Sequence, residues 1–329
     1  MTTSLPGRQK EAIMSKNKVS IIGAGNVGAT ATYYIAEKVI ADLVMVDVAG
    51  GMTQAKAVDF LHAGPLRGYD VSISIVGTDD FAQIADSNVV VITAGLPRKP
   101  GMDRMDLLKV NAGIVKQAAR AIVEHAPNAI VIVVSNPLDI MCHVALRSTG
   151  FALRHVVGMA GILDSTRFRY FVAEQLGCAL SSVHAMVLGG HGDQMVPLPR
   201  LTTVGGVPIT QLMDAPTIAR LVDRTRKGGA EIVALLKTGS AYYAPAASVA
   251  DMVEAVITDR KHLAPCAAYL RGEYGIDDLF IGVPTILGKN GVERIIELEL
   301  LDDERAQLHA SAVAVRKGVD ELNTFFKPT

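Results

Sequence analysis

The stretch KVSIIGAGNVG, residues 18–28, contains a short β-branched strand that runs into a glycine turn and then into an alanine-rich helical segment. This is a G-x-G-x-x-G motif in the context that the motif requires. The first glycine permits a tight turn, the second lets the backbone approach a pyrophosphate, and the third allows the helix to pack closely. The helix N-terminus then faces the phosphate charge. The motif predicts a dinucleotide site formed by Gly23, Ala24, Gly25, Asn26, Val27 and Gly28.

A second apolar segment, LVMV at residues 43–46, ends at Asp47, which is 19 residues past Gly28. An acid at this distance from the glycine motif is placed to hydrogen-bond the ribose hydroxyls of an adenosine. The same carboxylate would repel a 2′-phosphate on that ribose. The spacing therefore predicts that the cofactor is NAD rather than NADP.

The first half of the chain alternates short apolar segments with helical patterns. This alternation is typical of βαβ units, and continuous apolar runs such as residues 89–92 are typical of strands that are buried on both faces. The predicted strands lie near Val19, Leu43, Val71, Val89, Ile130 and Val156. We therefore predict an α/β fold with a doubly wound parallel sheet of the Rossmann type.

The second half of the chain has a different pattern. The segments TVGGV at 203–207 and ILGKNGV at 286–292 predict β-hairpins, the second of them built on an Asn-Gly turn. Residues 218–236 and 304–322 show helical periodicity. Antiparallel hairpins mixed with helices predict an α+β region.

The length of the chain, 329 residues, exceeds the usual size of a single core. We expect three parts, with boundaries placed where the pattern changes. They are a flexible N-terminal extension over residues 1–17, an NAD-binding Rossmann domain over residues 18–158, and an α+β substrate domain over residues 159–329.

The composition is that of an enzyme with small-molecule ligands. The formal net charge is −1 and no long block of one charge occurs, so neither nucleic acid nor a membrane surface is an expected partner. Cys142, Cys178 and Cys266 are odd in number and widely spaced, which gives no disulfide framework and no metal-site spacing. We therefore expect a reducing, cytoplasmic compartment and no bound metal.

A basic loop follows the predicted strand at residues 89–93. Its sequence, GLPRKPGMDR at residues 95–104, holds three cations at the carboxyl end of a strand, where doubly wound folds bind their ligands. A solvated surface loop is the alternative. Asn136 similarly ends a buried strand, where its amide can bind a substrate oxygen or the cofactor, although Asn-Pro is also common in plain turns.

A single histidine, His191, stands between glycines in GGHGD at residues 189–193. Glycine neighbours let a ligand approach closely, but a histidine in such a turn can also be merely solvated. Upstream, Asp164 and Arg167 are three residues apart in a predicted helix and share a face. They can supply an acid that orients the imidazole and a planar fork for a carboxylate, or they can form a plain surface pair.

The motifs IIGAGNVG, ITAGLPRKPGMDR, VVSNPLD, GILDSTR, LGGHGDQMVPL and LGKNGVERIIELEL together resemble the NAD-dependent lactate/malate dehydrogenases. The resemblance covers residues 18–322, and it is strongest to the malate dehydrogenases that are most similar to lactate dehydrogenases. It implies reversible hydride transfer between NAD and a small dicarboxylate, malate or oxaloacetate. It also implies a homodimer or homotetramer and a place in the tricarboxylic acid cycle.

The resemblance implies catalytic roles for three side chains, those of His191, Asp164 and Arg104, and substrate-binding roles for Arg98, Arg167 and again Arg104. His191 would be the proton donor and acceptor, and Asp164 would be its carboxylate partner. Arg167 would bind the α-carboxylate of the substrate. Arg104 would polarise the reacting carbonyl, and Arg98 would bind the distal carboxylate. A loop over residues 96–108 that carries two of these arginines onto the substrate is expected to close during turnover.

Further residues would line the cofactor. By the same resemblance Asn136 contacts both substrate and NAD, while Asn111 and the backbone of Val134 and Ser135 lie along NAD. One residue departs from the family pattern, because Asp103 stands where a small hydroxyl residue is common before the arginine. An extra acid there weakens the positive field of the loop.

Two alternatives remain open from the sequence. A lactate or other 2-hydroxy-acid dehydrogenase would differ chiefly at position 98. A dinucleotide-sensing protein without turnover would keep the fold, but it would have no need of a proton relay made of His191 and Asp164.

Overall fold

The computed structural model describes residues 17–69, 73–96 and 104–327, without the side chain of residue 104. The strands are β1 Lys18–Ile22, β2 Asp42–Val46, β3 Ile75–Thr78, β4 Val89–Ile92, β5 Ile130–Val133, β6 Val156–Gly158, β7 Val183–His184, β8 Val187–Leu188, β9 Val196–Pro197, β10 Thr203–Val204, β11 Val207–Pro208, β12 His262–Arg271, β13 Asp277–Gly288 and β14 Gly291–Ile295. The α-helices are α1 Asn26–Ala36, α2 Gly50–Arg67, α3 Arg104–His125, α4 Leu138–Thr149, α5 Gly161–Leu176, α6 Ala215–Leu236, α7 Tyr243–Ile257 and α8 Asp302–Asn323.

Six strands form the predicted parallel sheet, in the order β6-β5-β4-β1-β2-β3. The order reverses between β1 and β4, so the carboxyl ends of these two strands flank a crevice of the kind that binds ligands in doubly wound folds. The α/β fold class is confirmed. The strand predicted near Val71 falls outside the described residues, and β3 begins at Ile75.

Antiparallel strands extend the same sheet beyond β6. Ala267 of β12 pairs with Gly158 of β6, and β12, β13 and β14 follow in antiparallel order, so nine strands of the described residues form one sheet. The predicted hairpin between β13 and β14 is confirmed, but its turn is not centred on Asn-Gly. Gly288 pairs with Gly291, which leaves Lys289 and Asn290 in the turn. Gly291, with φ of 83°, begins the returning strand.

A second hairpin in the later half positions the histidine loop. Strand β8 pairs with β9 through Val187–Pro197 and Leu188–Val196, so residues 189–195 form the loop between them. Gly189 and Gly282 of β13 donate a backbone hydrogen bond to each other, and this pair connects the start of the loop to the large sheet. The hairpin predicted at residues 203–207 is present as β10 and β11.

The predicted helices at residues 218–236 and 304–322 correspond to α6 and α8. One hydrophobic core runs from the parallel strands to β12, β13 and α8. A smaller core lies between α5, α6 and the short strands, and includes Phe168, Val187 and Leu221. In the part of the chain that the structure describes, no helix is both long enough and apolar enough to cross a membrane.

Candidate active site

The glycine turn after β1 depends on two residues that lack a side chain, Gly23 and Gly28. Gly23 has φ of 108°, which few side chains tolerate, and a Cβ on Gly28 would lie 1.9 Å from the carbonyl oxygen of Gly23. The hydroxyl of Thr93 donates to that same carbonyl oxygen at 2.8 Å. The helix α1 therefore packs directly on the turn, as the third glycine of the motif predicts.

The N-terminus of α1 opens on a cavity. Gly25 is its N-cap and no side chain caps it, so the first backbone N–H groups of the helix keep their donors for a ligand. A Cβ on Gly25 would meet no atom within 4 Å, because this residue faces open space. Gly25 borders two adjoining cavities of about 570 and 270 Å³, which also share Thr93, Gly95 and Leu96.

Asp47 lies in the wall of the smaller cavity, directly after β2. Its Oδ2 accepts a hydrogen bond from the N–H of Ala24 at 2.7 Å, and its Oδ1 accepts one from the N–H of Ala49 at 3.1 Å. These bonds fix the carboxylate beside the glycine turn. Each carboxylate oxygen can accept more than one hydrogen bond, so capacity remains for ribose hydroxyls.

Asn111, buried in α3, joins the two strand ends that border the larger cavity. Its Oδ1 accepts from the N–H of Leu96 at 2.8 Å, and its Nδ2 donates to the carbonyl oxygen of Asn136 at 2.7 Å. The hydroxyl of Ser135 donates to the carbonyl oxygen of Ala94 at 2.6 Å. These hydrogen bonds hold residues that are distant in sequence together at the edge of the larger cavity. Asn136, at the end of this edge, is exposed.

His191 and Asp164 form a hydrogen-bonded pair in the larger cavity. The Nδ1 atom of the imidazole lies 2.9 Å from Oδ2 of Asp164, whose side chain is 2% exposed. An ionised carboxylate only accepts, so Nδ1 carries the hydrogen and Nε2 is the atom left to exchange a proton with a ligand. The geometry is that of an oriented acid–base group.

The surroundings of His191 favour the protonated ring. Burial lowers the pKa of the imidazole, but the charge and hydrogen bond of Asp164, together with the charge of Asp139, outweigh burial and the opposing charge of Arg167. The pKa of His191 is therefore raised above its ordinary value. A raised pKa keeps the ring able to donate a proton near neutral pH.

Arg167 extends from α5 beside the pair. Its Nη1 donates to Oδ1 of Asp164 at 3.3 Å, and its Nε is buried without a hydrogen-bond partner among the described residues. The guanidinium lies against α6, where a Cβ on Gly228 would come within 3.3 Å of the Arg167 side chain. An arginine that lines a cavity offers a planar fork of donors, which is suited to bind a carboxylate.

The backbone of the histidine loop is held by two side chains from other helices. The N–H of His191 donates to Oδ2 of Asp139 in α4 at 2.9 Å. The N–H of Gly190 donates to the hydroxyl of Ser311 in α8 at 2.8 Å. The loop is therefore fixed by contacts that are remote in sequence.

The predicted residues that converge on the larger cavity are Gly25, Asn26, Val27, Gly28, Asn111, Val134, Ser135, Asn136, Arg167 and His191. Asp164 stands behind His191, and Asp47 lines the smaller cavity. Arg98 and Asp103 lie outside the described residues. Arg104 begins α3, and its side chain is likewise not described.

Several lining residues were missed by sequence reasoning. Met159 and Leu163 give the larger cavity an apolar wall, and Arg226 reaches from α6 to donate to the carbonyl oxygen of Met195 at 3.1 Å. Gly229 also lines it, and the glycine pair inside α6 was a usable signal, since glycine in a helix costs about 1 kcal/mol. Nothing in the sequence distinguishes Arg226 from its basic neighbours.

The larger cavity combines an imidazole that can exchange a proton with a dinucleotide-binding motif. This combination is typical of a dinucleotide-dependent oxidoreductase, and comparison with known proteins agrees with this class. Residues 17–158 match the NAD binding domain of lactate/malate dehydrogenase, and residues 162–326 match the alpha/beta C-terminal domain of the same family. The chain belongs to the lactate/malate dehydrogenase family.

Individual relatives cover nearly all of the chain. It is 57% identical over 307 residues to the malate dehydrogenase of Thermomicrobium roseum, which covers 93% of this chain and 98% of that protein. It is similar to the structure of malate dehydrogenase from Salinibacter ruber, with a TM-score of 0.89, 49% identity and coverage of 93% and 98%. It is also similar to the lactate dehydrogenase of Cryptosporidium parvum in complex with lactic acid and NAD, with a TM-score of 0.91, 40% identity and coverage of 94% and 99%.

Proposed function

We propose that this protein is an NAD-dependent malate dehydrogenase that interconverts (S)-malate and oxaloacetate. The observation that carries the proposal is the hydrogen bond of 2.9 Å between His191 and Asp164 inside the cavity that begins at the glycine turn. The name of the Thermomicrobium roseum relative, at 57% identity, supports the substrate.

The residues fit NAD. The uncapped N-terminus of α1 would hold the pyrophosphate, and Asp47 in the smaller cavity would hold the adenosine ribose. Asn136 and the backbone of Val134 and Ser135 would border the nicotinamide half, with Asn111 holding them in place. When bound, NAD supplies the group that accepts a hydride from the substrate carbon bearing the hydroxyl.

His191 would move the proton that accompanies hydride transfer. In malate oxidation its neutral Nε2 takes the hydroxyl proton, and in oxaloacetate reduction the imidazolium returns a proton to the carbonyl oxygen. Asp164 holds the ring in the required tautomer and stabilises the imidazolium. The shielded position of the pair, with the His191 side chain 15% exposed, limits competition from water.

Three arginines would bind and polarise the substrate. Arg167, which lines the larger cavity beside Asp164, binds the α-carboxylate. From the sequence, Arg104 stabilises negative charge on the carbonyl oxygen, and Arg98 binds the distal carboxylate on a loop that closes over the site. These last two roles are supported by the resemblance to the lactate/malate dehydrogenases, since residues 97–103 and the side chain of Arg104 lie outside the described part of the chain.

Further proposals concern organisation and setting. Residues 18–158 form the cofactor domain and residues 159–329 the substrate domain of a homodimer or homotetramer. Two of the three free cysteines, Cys142 and Cys266, are buried, which suits the reducing cytoplasm. The reaction places the enzyme in the tricarboxylic acid cycle. We propose no role for a nucleic acid, a membrane or a metal.

Lactate oxidation is the second candidate. It is favoured by the similarity to the Cryptosporidium parvum lactate dehydrogenase, with a TM-score of 0.91. The two activities share the His191–Asp164 pair and the carboxylate-binding arginine, so the charge at position 98 separates them.

Purified protein incubated with NAD and single 2-hydroxy acids tests the proposal. We expect NADH to form with (S)-malate. It should form far more slowly with (R)-malate, whose C2 hydrogen has the opposite hand, and with (S)-lactate, which has no distal carboxylate to pair with Arg98. Equal or faster reaction with (S)-lactate would favour the second candidate. No reaction with any hydroxy acid would favour a cofactor-sensing protein.

Replacing Asp47 with Ser should change the choice of cofactor. The substitution removes the charge that repels a 2′-phosphate, so the ratio of NADPH to NADH affinity should rise about tenfold or more. Fluorescence titration of both cofactors measures the ratio. Asp59→Ser, which removes an exposed acid of α2 outside the cavities, is the matched control. An unchanged ratio in the Asp47 variant would show that this carboxylate does not contact the ribose.

The rate of oxaloacetate reduction should depend on pH through His191. Reduction needs the imidazolium, so kcat/KM should fall as the pH rises through the pKa of His191, which lies above its ordinary value of 6.5. Malate oxidation should show the opposite dependence. Asp164→Asn should move both transitions to lower pH, because it removes the largest stabilising charge. Transitions that stay in place in this variant would contradict the role of Asp164.

A further inference from the structure

Asp139 is a buried carboxylate directly beneath the histidine loop. It is 5% exposed, and its Oδ2 accepts the hydrogen bond from the N–H of His191 at 2.9 Å. Its other oxygen, Oδ1, is buried without a hydrogen-bond partner in the described part of the chain. Burying a carboxylate with an unsatisfied oxygen costs free energy that an apolar side chain would not, so packing alone does not account for an acid here.

The position of Asp139 in the first turn of α4 is favourable for an acid, but it does not explain the contact. The carboxylate accepts the N–H of the residue that exchanges the proton, 52 positions along the chain, rather than serving as the N-cap of its own helix. The backbone group that Asp139 binds belongs to the residue that carries the imidazole.

Charged groups from two helices face the imidazole. From α5, Asp164 favours the imidazolium and Arg167 opposes it, and from α4 the Asp139 charge favours it. Within the loop, Asp193 is exposed, and Arg226 of α6 borders the same cavity. Two carboxylates thus act on His191, one through the ring nitrogen and one through the backbone side.

We propose that Asp139 is a positioning residue for His191, which fixes the backbone of the histidine and supplies a second negative charge that stabilises the imidazolium. The inference deepens the proposed function and rests on it for its kinetic consequence. Because Asp139 acts through His191, it does not itself contact the substrate.

The charge of Asp139 itself depends on pH. Burial raises the pKa of Asp139 to about 6, against the hydrogen bond and charge of His191. Above that pH the charge is present and supports the imidazolium, and below it the charge is lost. The two groups therefore titrate as a coupled pair rather than separately.

Ser311 offers a matched control. Its hydroxyl accepts the neighbouring N–H of Gly190 at 2.8 Å, so it positions the same loop without a charge. Ser311→Ala removes one loop contact and no charge. Asp139→Asn removes the charge and keeps an oxygen that can accept from His191, with nearly the same volume.

The test is a titration of His191 by NMR in the full-length protein labelled at histidine, with the signal identified by its loss in His191→Asn. In the parent we expect a curve with a second inflection near pH 6, due to Asp139. In Asp139→Asn we expect one inflection, with the pKa of His191 lowered by about one unit. Ser311→Ala should keep the pKa of the parent.

A kinetic measurement follows the same variants. The pH at which kcat/KM for oxaloacetate reduction falls should move down by about one unit in Asp139→Asn and stay in place in Ser311→Ala, with the NADH Kd unchanged in both. An unchanged pKa and pH profile in Asp139→Asn would overturn the proposal. If that variant does not fold, a single inflection in the parent would overturn it instead. Parent protein that titrates as expected but does not reduce oxaloacetate would contradict the proposed function alone.

Discussion

Replacing Arg98 with Gln should largely abolish the preference for oxaloacetate over pyruvate. Oxaloacetate carries a second carboxylate, and in a closed site an unpaired buried charge costs several kcal/mol. In the role proposed, a guanidinium at position 98 would pair with that charge. It also disfavours pyruvate, whose methyl group would leave the arginine itself unpaired. The loss of about 4 kcal/mol of discrimination corresponds to about a thousandfold change in the ratio of the two kcat/KM values.

Steady-state rates with both keto acids measure this change. The value for oxaloacetate should fall steeply and that for pyruvate should rise. NADH affinity should stay nearly constant, because the proposed cofactor site is formed by α1 and the strand ends. Lys99→Gln removes a neighbouring charge from the same loop and should leave the preference in place. If Arg98→Gln keeps the preference of the parent, Arg98 is a solvated cation and the malate assignment loses its main physical support.

Replacing His191 with Asn should reduce kcat by about a hundredfold to ten-thousandfold. Asparagine can donate to Asp164 as the ring does, but it cannot exchange a proton near neutral pH. NADH affinity should change little, because the imidazole belongs to the substrate side of the cavity. Stopped-flow mixing of the NADH complex with oxaloacetate measures the chemical step directly.

His184→Asn is the matched control for this variant. His184 is exposed in β7 and borders neither of the two cavities at the glycine turn, so its replacement should leave turnover unchanged. A His191 variant that retained most of its turnover would refute the assignment of the proton donor.

The sequence predicted the parallel sheet because its strands are short apolar runs with clear boundaries. It was less successful where the pairing of strands in the folded chain decides the position of a strand or a turn. The strand predicted near Val71 lies outside the described residues, and the position of β3 is set by its register with β2, which pairs Leu43 with Ile75. The hairpin at β13 was predicted from its Asn-Gly pair, but pairing places Lys289 and Asn290 in the turn.

The candidate site divides in the same way. Motifs with local spacing, such as the glycine turn with Asp47, predicted their residues from chemistry alone. Asp139 was not predicted as part of the site, because its contact with His191 joins elements that only the folded chain brings together. The glycine pair inside α6 could be noticed in the sequence, because glycine is unusual within a helix. Its role could not be predicted, because it depends on contact with Arg167 of the neighbouring helix.

The most direct test of the central claim is the ratio of kcat/KM for oxaloacetate to that for pyruvate, measured with NADH and the unaltered protein. An NAD-dependent malate dehydrogenase with Arg98 and the His191–Asp164 pair in the roles proposed should favour oxaloacetate by about a thousandfold or more. A ratio near one, a preference for pyruvate, or no oxidation of NADH with either keto acid would contradict it.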